Sequence, residues 1–152
     1  MLKILKALGV IVFVCILLIG GMFYWAANET HQVKAEVTPF LEKSVPLIAT
    51  WDVANFEHLF TAEGKENIQS EQGLKVINYL SKLGALKAFE EPTFIKSTSS
   101  VTTKIGSSDV AIFIVHAQFE NGDGLFTFTL MRTDSGYLIK AVNLKSDYFL
   151  EL

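Results

Sequence analysis

The stretch Asp109–Met131, DVAIFIVHAQFENGDGLFTFTLM, decides the fold. In its first half Ala111, Phe113, Val115, Ala117 and Phe119 occupy every second position, the period of a β-strand with one apolar face. Asn121-Gly122 then predicts a two-residue type I′ hairpin turn, because both residues tolerate positive φ. That turn pairs Ala117 with Phe126, Val115 with Phe128 and Phe113 with Leu130. One face of the hairpin is then apolar throughout, so the register is self-consistent.

Working outward, Asp134-Ser135-Gly136 marks the next turn and Tyr137 to Lys145 the last strand. An earlier strand from Thr93 to about Ile105 makes the edge of the sheet. Upstream the period changes. Val33, Val37, Leu41, Val45, Ile48 and Trp51 recur at three- and four-residue steps, one face of a helix. Pro39 and Pro46 argue against a single straight rod, and Thr38-Pro39 predicts a restart, with Thr as N-cap and Pro at the first helical position. A short helix is expected over Val53 to Leu59. Another starts at Ser70, carries the stripe Leu74, Ile77, Leu80 and Leu83, and closes at Gly84. Helices first and a meander of about four antiparallel strands after them define an α+β domain, with helices packed on one face of the sheet.

The chain has 152 residues and is 50% hydrophobic, with the excess at one end. No charged residue occurs from Ala7 to Ala27, and at 1.5 Å per residue this run of roughly 20 spans a hydrocarbon core of about 30 Å. Lys3 and Lys6 precede it, and Tyr24 and Trp25 sit near its far end, where amphipathic rings favour the headgroup level. The expected topology is a single-pass anchor in a bacterial cytoplasmic membrane, N-terminus inside and C-terminal domain in the periplasm. The expected division is an anchor over residues 1–27, a polar stalk over 28–34 and an exported α+β domain over 35–152. A cleaved signal peptide is the competing reading, but cleavage after Ala26 or Ala27 would set Tyr24 or Trp25 at a position that takes small residues. A lipoprotein reading would use Cys15, yet Val12-Phe13-Val14 lacks the small residue that normally precedes such a cysteine.

Cys15 is the only cysteine, so an intramolecular disulfide is excluded. With Lys3 and Lys6 set aside, 11 basic residues stand against 16 acidic ones, a net charge of −5. That sign, with one Arg and no basic run, argues against nucleic acid as a partner. His31, His58 and His116 are far apart and lack metal-ligand spacing. His58, beside Glu57 and near Asp52, is a possible acid–base group only in principle, and a surface helix position explains it as well. His116 and Asp109 differ in strand parity and so point to opposite faces, which argues against a dyad. Glu120-Asn121-Gly122-Asp123-Gly124 is a turn with acids, hostile to phosphate and short of calcium ligands. No catalytic, cofactor or metal site is expected.

The second face of the sheet is more informative. It carries Val110, Ile112, Ile114, His116 and Gln118 from one strand, Leu125, Thr127, Thr129 and Met131 from the next, and Leu138, Val142 and Leu144 from the last if parity is kept. About half of this face is apolar, more than a water-facing sheet usually shows. Either a second copy or another protein covers it, or the chain's own helices or Phe149-Leu150 do.

Trp51-Asp52, Leu80-Ser81-Lys82-Leu83-Gly84-Ala85-Leu86-Lys87, Ala117-Gln118-Phe119-Glu120-Asn121-Gly122 and Gly136-Tyr137-Leu138-Ile139, in this order, resemble bacterial exported domains of the nuclear-transport-factor-2-like (cystatin-like) superfamily. The resemblance covers roughly residues 35 to 150 and rests on pattern and order; Tyr137 stands where such domains often have Trp. It implies a curved sheet wrapped around a long helix as a cone. It implies little about activity, since that fold hosts enzymes, binding domains and secretion-system scaffolds. Two functions stay open: a non-catalytic accessory or scaffold subunit of a membrane-associated complex, or a small-ligand-binding or hydrolytic domain using the cone as its pocket.

Overall fold

A computed structural model describes residues 1–101 and 107–151. The tail of the predicted edge strand, residues 102–105, lies outside them. Helix α1 runs Leu2–Ile48, followed by α2 (Val53–Phe56), a 3-10 turn (Glu57–Leu59), α3 (Ala62–Gln69) and α4 (Glu71–Leu80). Five strands follow: β1 (Leu86–Phe89), β2 (Thr93–Val101), β3 (Ser107–Phe119), β4 (Asp123–Thr133) and β5 (Gly136–Lys145). The chain divides into two compact units, Met1–Glu36 and Val37–Leu152.

In the first unit, Leu2–Tyr24 is a helix of 23 residues with a mean hydropathy of 2.7 and none of its surface buried, long and apolar enough to cross a membrane. Residues 28–34, expected as a stalk, are also helical.

The expected restart at Thr38-Pro39 does not occur, since both Pro39 and Pro46 lie inside α1. Each interior proline costs about 3 kcal/mol. Burial of Val37, Leu41, Val45 and Ile48, all at 0–5% exposure, contributes about 1.5–3 kcal/mol apiece and outweighs both. Past the helix end, Trp51 takes a φ of 60°. Its indole Nε1 donates to the Gly84 carbonyl at 3.0 Å, and its ring lies 5.6 Å from Phe119. These contacts hold a backbone conformation that bulky residues otherwise avoid. Helix α4 begins with Ser70 accepting from the Gly73 N–H at 3.0 Å. A 3-10 turn over Ser81–Leu83 extends it to Gly84, whose φ is 84°. Of its predicted stripe, Leu83 is fully buried and Leu74 is 48% exposed.

The sheet is antiparallel with β3 and β4 at its centre and β5 at one edge. The opposite edge is split: β1 pairs with residues 117–119 of β3, and β2 with residues 107–114. The sheet is therefore about four strands wide but contains five strands. The four-residue β1, cut off by Glu90-Glu91-Pro92, is too short to announce itself by alternation.

Two registers depart from expectation. In the central hairpin, Ala117 pairs with Gly124, Val115 with Phe126 and Phe113 with Phe128. The turn is thus centred on Glu120-Asn121, and neither Asn121 nor Gly122 has positive φ. The cause is tertiary. The N–H groups of Glu120 and Asn121 donate to the carbonyls of Ala85 and Leu83, each at 3.0 Å. Asn121 Nδ2 donates to Lys82 O at 2.8 Å, and Glu120 Oε2 accepts from the Ala85 N–H at 3.1 Å. A shift of two residues preserves parity, so the faces are as expected.

The second departure changes a face. Thr129 pairs with Ala141 but Leu130 with Ile139, leaving Lys140 as the extra residue of a β-bulge. Val142 and Leu144 therefore sit opposite Phe128 and Phe126 on the buried face, not on the second face. The bulge lies where the chain enters α3: Thr61 N–H donates to Ile139 O at 2.9 Å. A Cβ on Gly64 would come within 2.9 Å of Lys140 O.

The core of the second unit joins the α1 residues to Phe56, Phe60, Leu83, Phe113, Val115, Phe126, Phe128, Leu130 and Ile139, all at 5% exposure or less. Phe126 and Phe128 stack at 5.5 Å, and Phe94 meets Phe113 edge-on at 5.4 Å. Aromatic and aliphatic side chains thus make up the core of this unit.

Candidate interaction surface

Strand alternation places even-numbered β3 residues opposite the core. Paired registers then define the outer face in rows: Val110 beside Met131 and Leu138, Ile112 beside Thr129 and Ala141, and Ile114 beside Thr127 and Asn143. His116 lies beside Leu125 and Lys145, and Gln118 beside Asp123. On the split edge, Thr93 adjoins Ile114 and Lys96 adjoins Ile112.

Burial separates the two faces. Phe113 and Val115 are at 0% exposure, and Ala111 and Ala117 at 4% and 2%. Val110, Ile112, Ile114, Leu125 and Met131 are only half-buried, and His116 is exposed. The C-terminal segment borders this face only at its Leu125 end: Phe149 stacks on Tyr79 of α4 at 4.7 Å, Tyr148 approaches Gly122, and Leu150 is 83% exposed. The apolar patch is therefore centred on β3 and β4. At β5 it keeps Leu138 but loses Val142 and Leu144 to the inner face, where they are half-buried, with Ala141 and Asn143 in their stead.

At the hairpin end the same face turns polar. Two shallow depressions share His116, Asp123 and Gly124. One is bounded further by Phe89 and Glu90, the other by Leu125, Lys145, Asp147 and Leu150. The Glu90 N–H donates to His116 O at 2.8 Å, and Ser146 Oγ donates to Asp123 O at 2.5 Å. Sequence alternation identified His116 and Leu125 on this face. It could not bring Glu90 and Asp147 beside them, because those residues arrive on a separate strand end and a C-terminal turn.

The remaining candidates stay apart. His31 and His58 are exposed. Glu57, beside His58, is engaged by Lys65 at 3.5 Å and by Gln69 Nε2 at 2.5 Å. Asp109 lies at the far end of β3 from His116 and pairs with Ser99. Among the described residues no group of three or more His, Cys, Asp or Glu is placed to hold a metal ion. Lys3, Lys6 and Tyr24 lie exposed at the ends of the apolar helix segment; the side chain of Trp25 is not among those described.

No family model and no curated protein matches the chain. Among solved structures the chain is similar to the 2.1 Å structure of ActVI-ORFA from Streptomyces coelicolor, at 15% identity and a TM-score of 0.41 over 75% of this chain and 97% of that one. The fold class, α+β with a curved antiparallel sheet of five strands, rests on the chain's own elements.

Proposed function

We propose that this chain is a membrane-tethered, non-catalytic interaction module, an accessory or scaffold subunit of a bacterial membrane-associated complex. Its N-terminal helix lies in the cytoplasmic membrane with Lys3 and Lys6 inside, and the Val37–Leu152 unit stands in the periplasm. The observation that carries the proposal is the outer sheet face. Ile112, Ile114 and Met131, with Leu125 at the end that the C-terminal segment borders, form a half-buried apolar patch, and such patches mark protein–protein contact.

The test uses the full chain, purified in mild detergent from native membranes, with associated proteins identified by mass spectrometry. Ile112→Lys and Ile114→Lys should each remove the specific partner while the chain stays folded. Unaltered co-purification would overturn the proposal. Topology is tested separately: protease added to spheroplasts should digest the C-terminal unit and spare a tag placed before Lys3.

A further inference from the structure

We infer that Asn121 is a site of spontaneous modification: intramolecular deamidation to aspartate and isoaspartate, which unlatches the central hairpin turn from the segment Lys82–Ala85. Of the chain's asparagines, only Asn121 precedes a glycine. The others precede Glu, Phe, Ile, Tyr and Leu, whose side chains hinder approach of the next backbone nitrogen to the amide carbon. Gly122 has no Cβ to hinder it. Asn121 is exposed in the turn between β3 and β4. There the Gly122 carbonyl accepts from the Phe119 N–H at 2.9 Å, while the Gly122 N–H donates in none of the described backbone hydrogen bonds.

The reaction uses only the chain's own atoms and water. The Gly122 backbone nitrogen attacks Cγ of Asn121, an attack favoured by proximity along the chain. A C–N bond forms, the Cγ–Nδ2 bond breaks, and Nδ2 leaves as ammonia, taking the proton of the Gly122 nitrogen. Water then opens the resulting succinimide at either carbonyl. One opening gives aspartate; the other gives isoaspartate, which adds a carbon to the main chain between residues 121 and 122.

The amide that leaves is the one that latches the turn. Asn121 Nδ2 donates to Lys82 O at 2.8 Å, beside the main-chain bonds from Asn121 N–H to Leu83 O and from Glu120 N–H to Ala85 O. A carboxylate only accepts, so in the same place it meets a carbonyl oxygen with no proton to share. It also gains a like-charged neighbour. Glu120 Oε2 and Asn121 Nδ2 lie 2.6 and 3.4 Å from the point where a Gly84 Cβ would stand, and Glu120 Oε2 is held there by the Ala85 N–H at 3.1 Å. The Lys82 ammonium is engaged over the Tyr79 ring, 4.9 Å from its centre. A lost donor and an added repulsion act in the same direction, so the modified turn does not latch again.

The experiment incubates the full chain in detergent for weeks at mildly alkaline pH, then maps its peptides by mass spectrometry and detects isoaspartate by enzymatic methylation. The Asn121 peptide should gain the deamidation mass and isoaspartate, while Asn55, Asn67, Asn78 and Asn143 keep their amides. Gly122→Ala should preserve the Asn121 amide. Gly122 has no positive φ, and the new Cβ would meet Tyr148 Cβ at 3.2 Å, a contact that a small shift relieves. Asn121→Asp stands for the aspartate product. In it, amide hydrogen exchange at Ala85, Glu120 and residue 121 should quicken about tenfold, the protection of one hydrogen bond, with Phe113 and Val115 exchanging as in the parent. An Asn121 that deamidates no faster than the other asparagines would overturn the modification site. Parental exchange at the turn of Asn121→Asp would overturn the latch.

Discussion

Replacing Phe128 with alanine lowers the stability of the Val37–Leu152 unit by about 3–5 kcal/mol, the range for removing a buried aromatic ring from a packed core. Phe128 is at 0% exposure on central strand β4. It stacks on Phe126 at 5.5 Å and pairs with Phe113 on one side and Val142 on the other. Neighbours fixed on two strands cannot collapse into the space a ring leaves, so the cavity term adds to the lost transfer free energy. A domain of this size has a total stability of about 5–15 kcal/mol, so the variant sits near its unfolding threshold. Its neighbour Thr129 lies on the outer face, and Thr129→Ala should cost less than about 0.5 kcal/mol. Urea unfolding of the detergent-solubilised chain separates the two. The Trp51 indole, bonded to Gly84 and in contact with Phe119, serves as the fluorescent reporter. A loss below about 1 kcal/mol at Phe128 would place the core elsewhere.

The second large effect comes from lysine at adjacent positions. Phe113→Lys should unfold the unit: the residue is at 0% exposure with Phe94 and Phe128 around it, and an unpaired buried ammonium costs more than the domain has to spare. Ile112→Lys, one residue earlier and half-buried on the outer face, should leave the unit folded within about 1 kcal/mol, because its ammonium reaches water. The contrast is the control that makes the partner experiment interpretable. A folded Ile112→Lys chain that loses its partner has lost an interface, whereas an unfolded one reports nothing about docking. Circular dichroism and thermal unfolding of both variants measure it. Equal tolerance at the two positions would refute the assignment of faces.

The apolar helix and the identity of the two sheet faces were readable from the chain directly. The run from Ala7 to Ala27 is charge-free, and its length against a bilayer is a property of that segment alone. The alternation around Phe113 and Phe126 marks the inner face, and even a register displaced by two residues kept it, because side-chain direction repeats every two residues. The helical spacing of Val37, Leu41 and Val45 was equally plain, although the prolines suggested a break that tertiary burial suppresses.

What the local pattern could not contain was any feature set by residues distant in sequence. The hairpin turn moved from Asn121-Gly122 to Glu120-Asn121 because Leu83 and Ala85 supply carbonyl acceptors to it. Val142 and Leu144 moved from the outer face to the inner one because the chain entering α3 meets β5 at Ile139 and Lys140, where the bulge lies. The polar end of the face exists because β1 leads Glu90 to His116 and the C-terminal turn sets Asp147 near Asp123. The sequence alone therefore determined that there is an outer face and that about half of it is apolar. Only the tertiary structure decided its border on β5 and its polar end, since parity is a property of one strand, whereas bulges and the meeting of distant polar residues depend on contacts between segments.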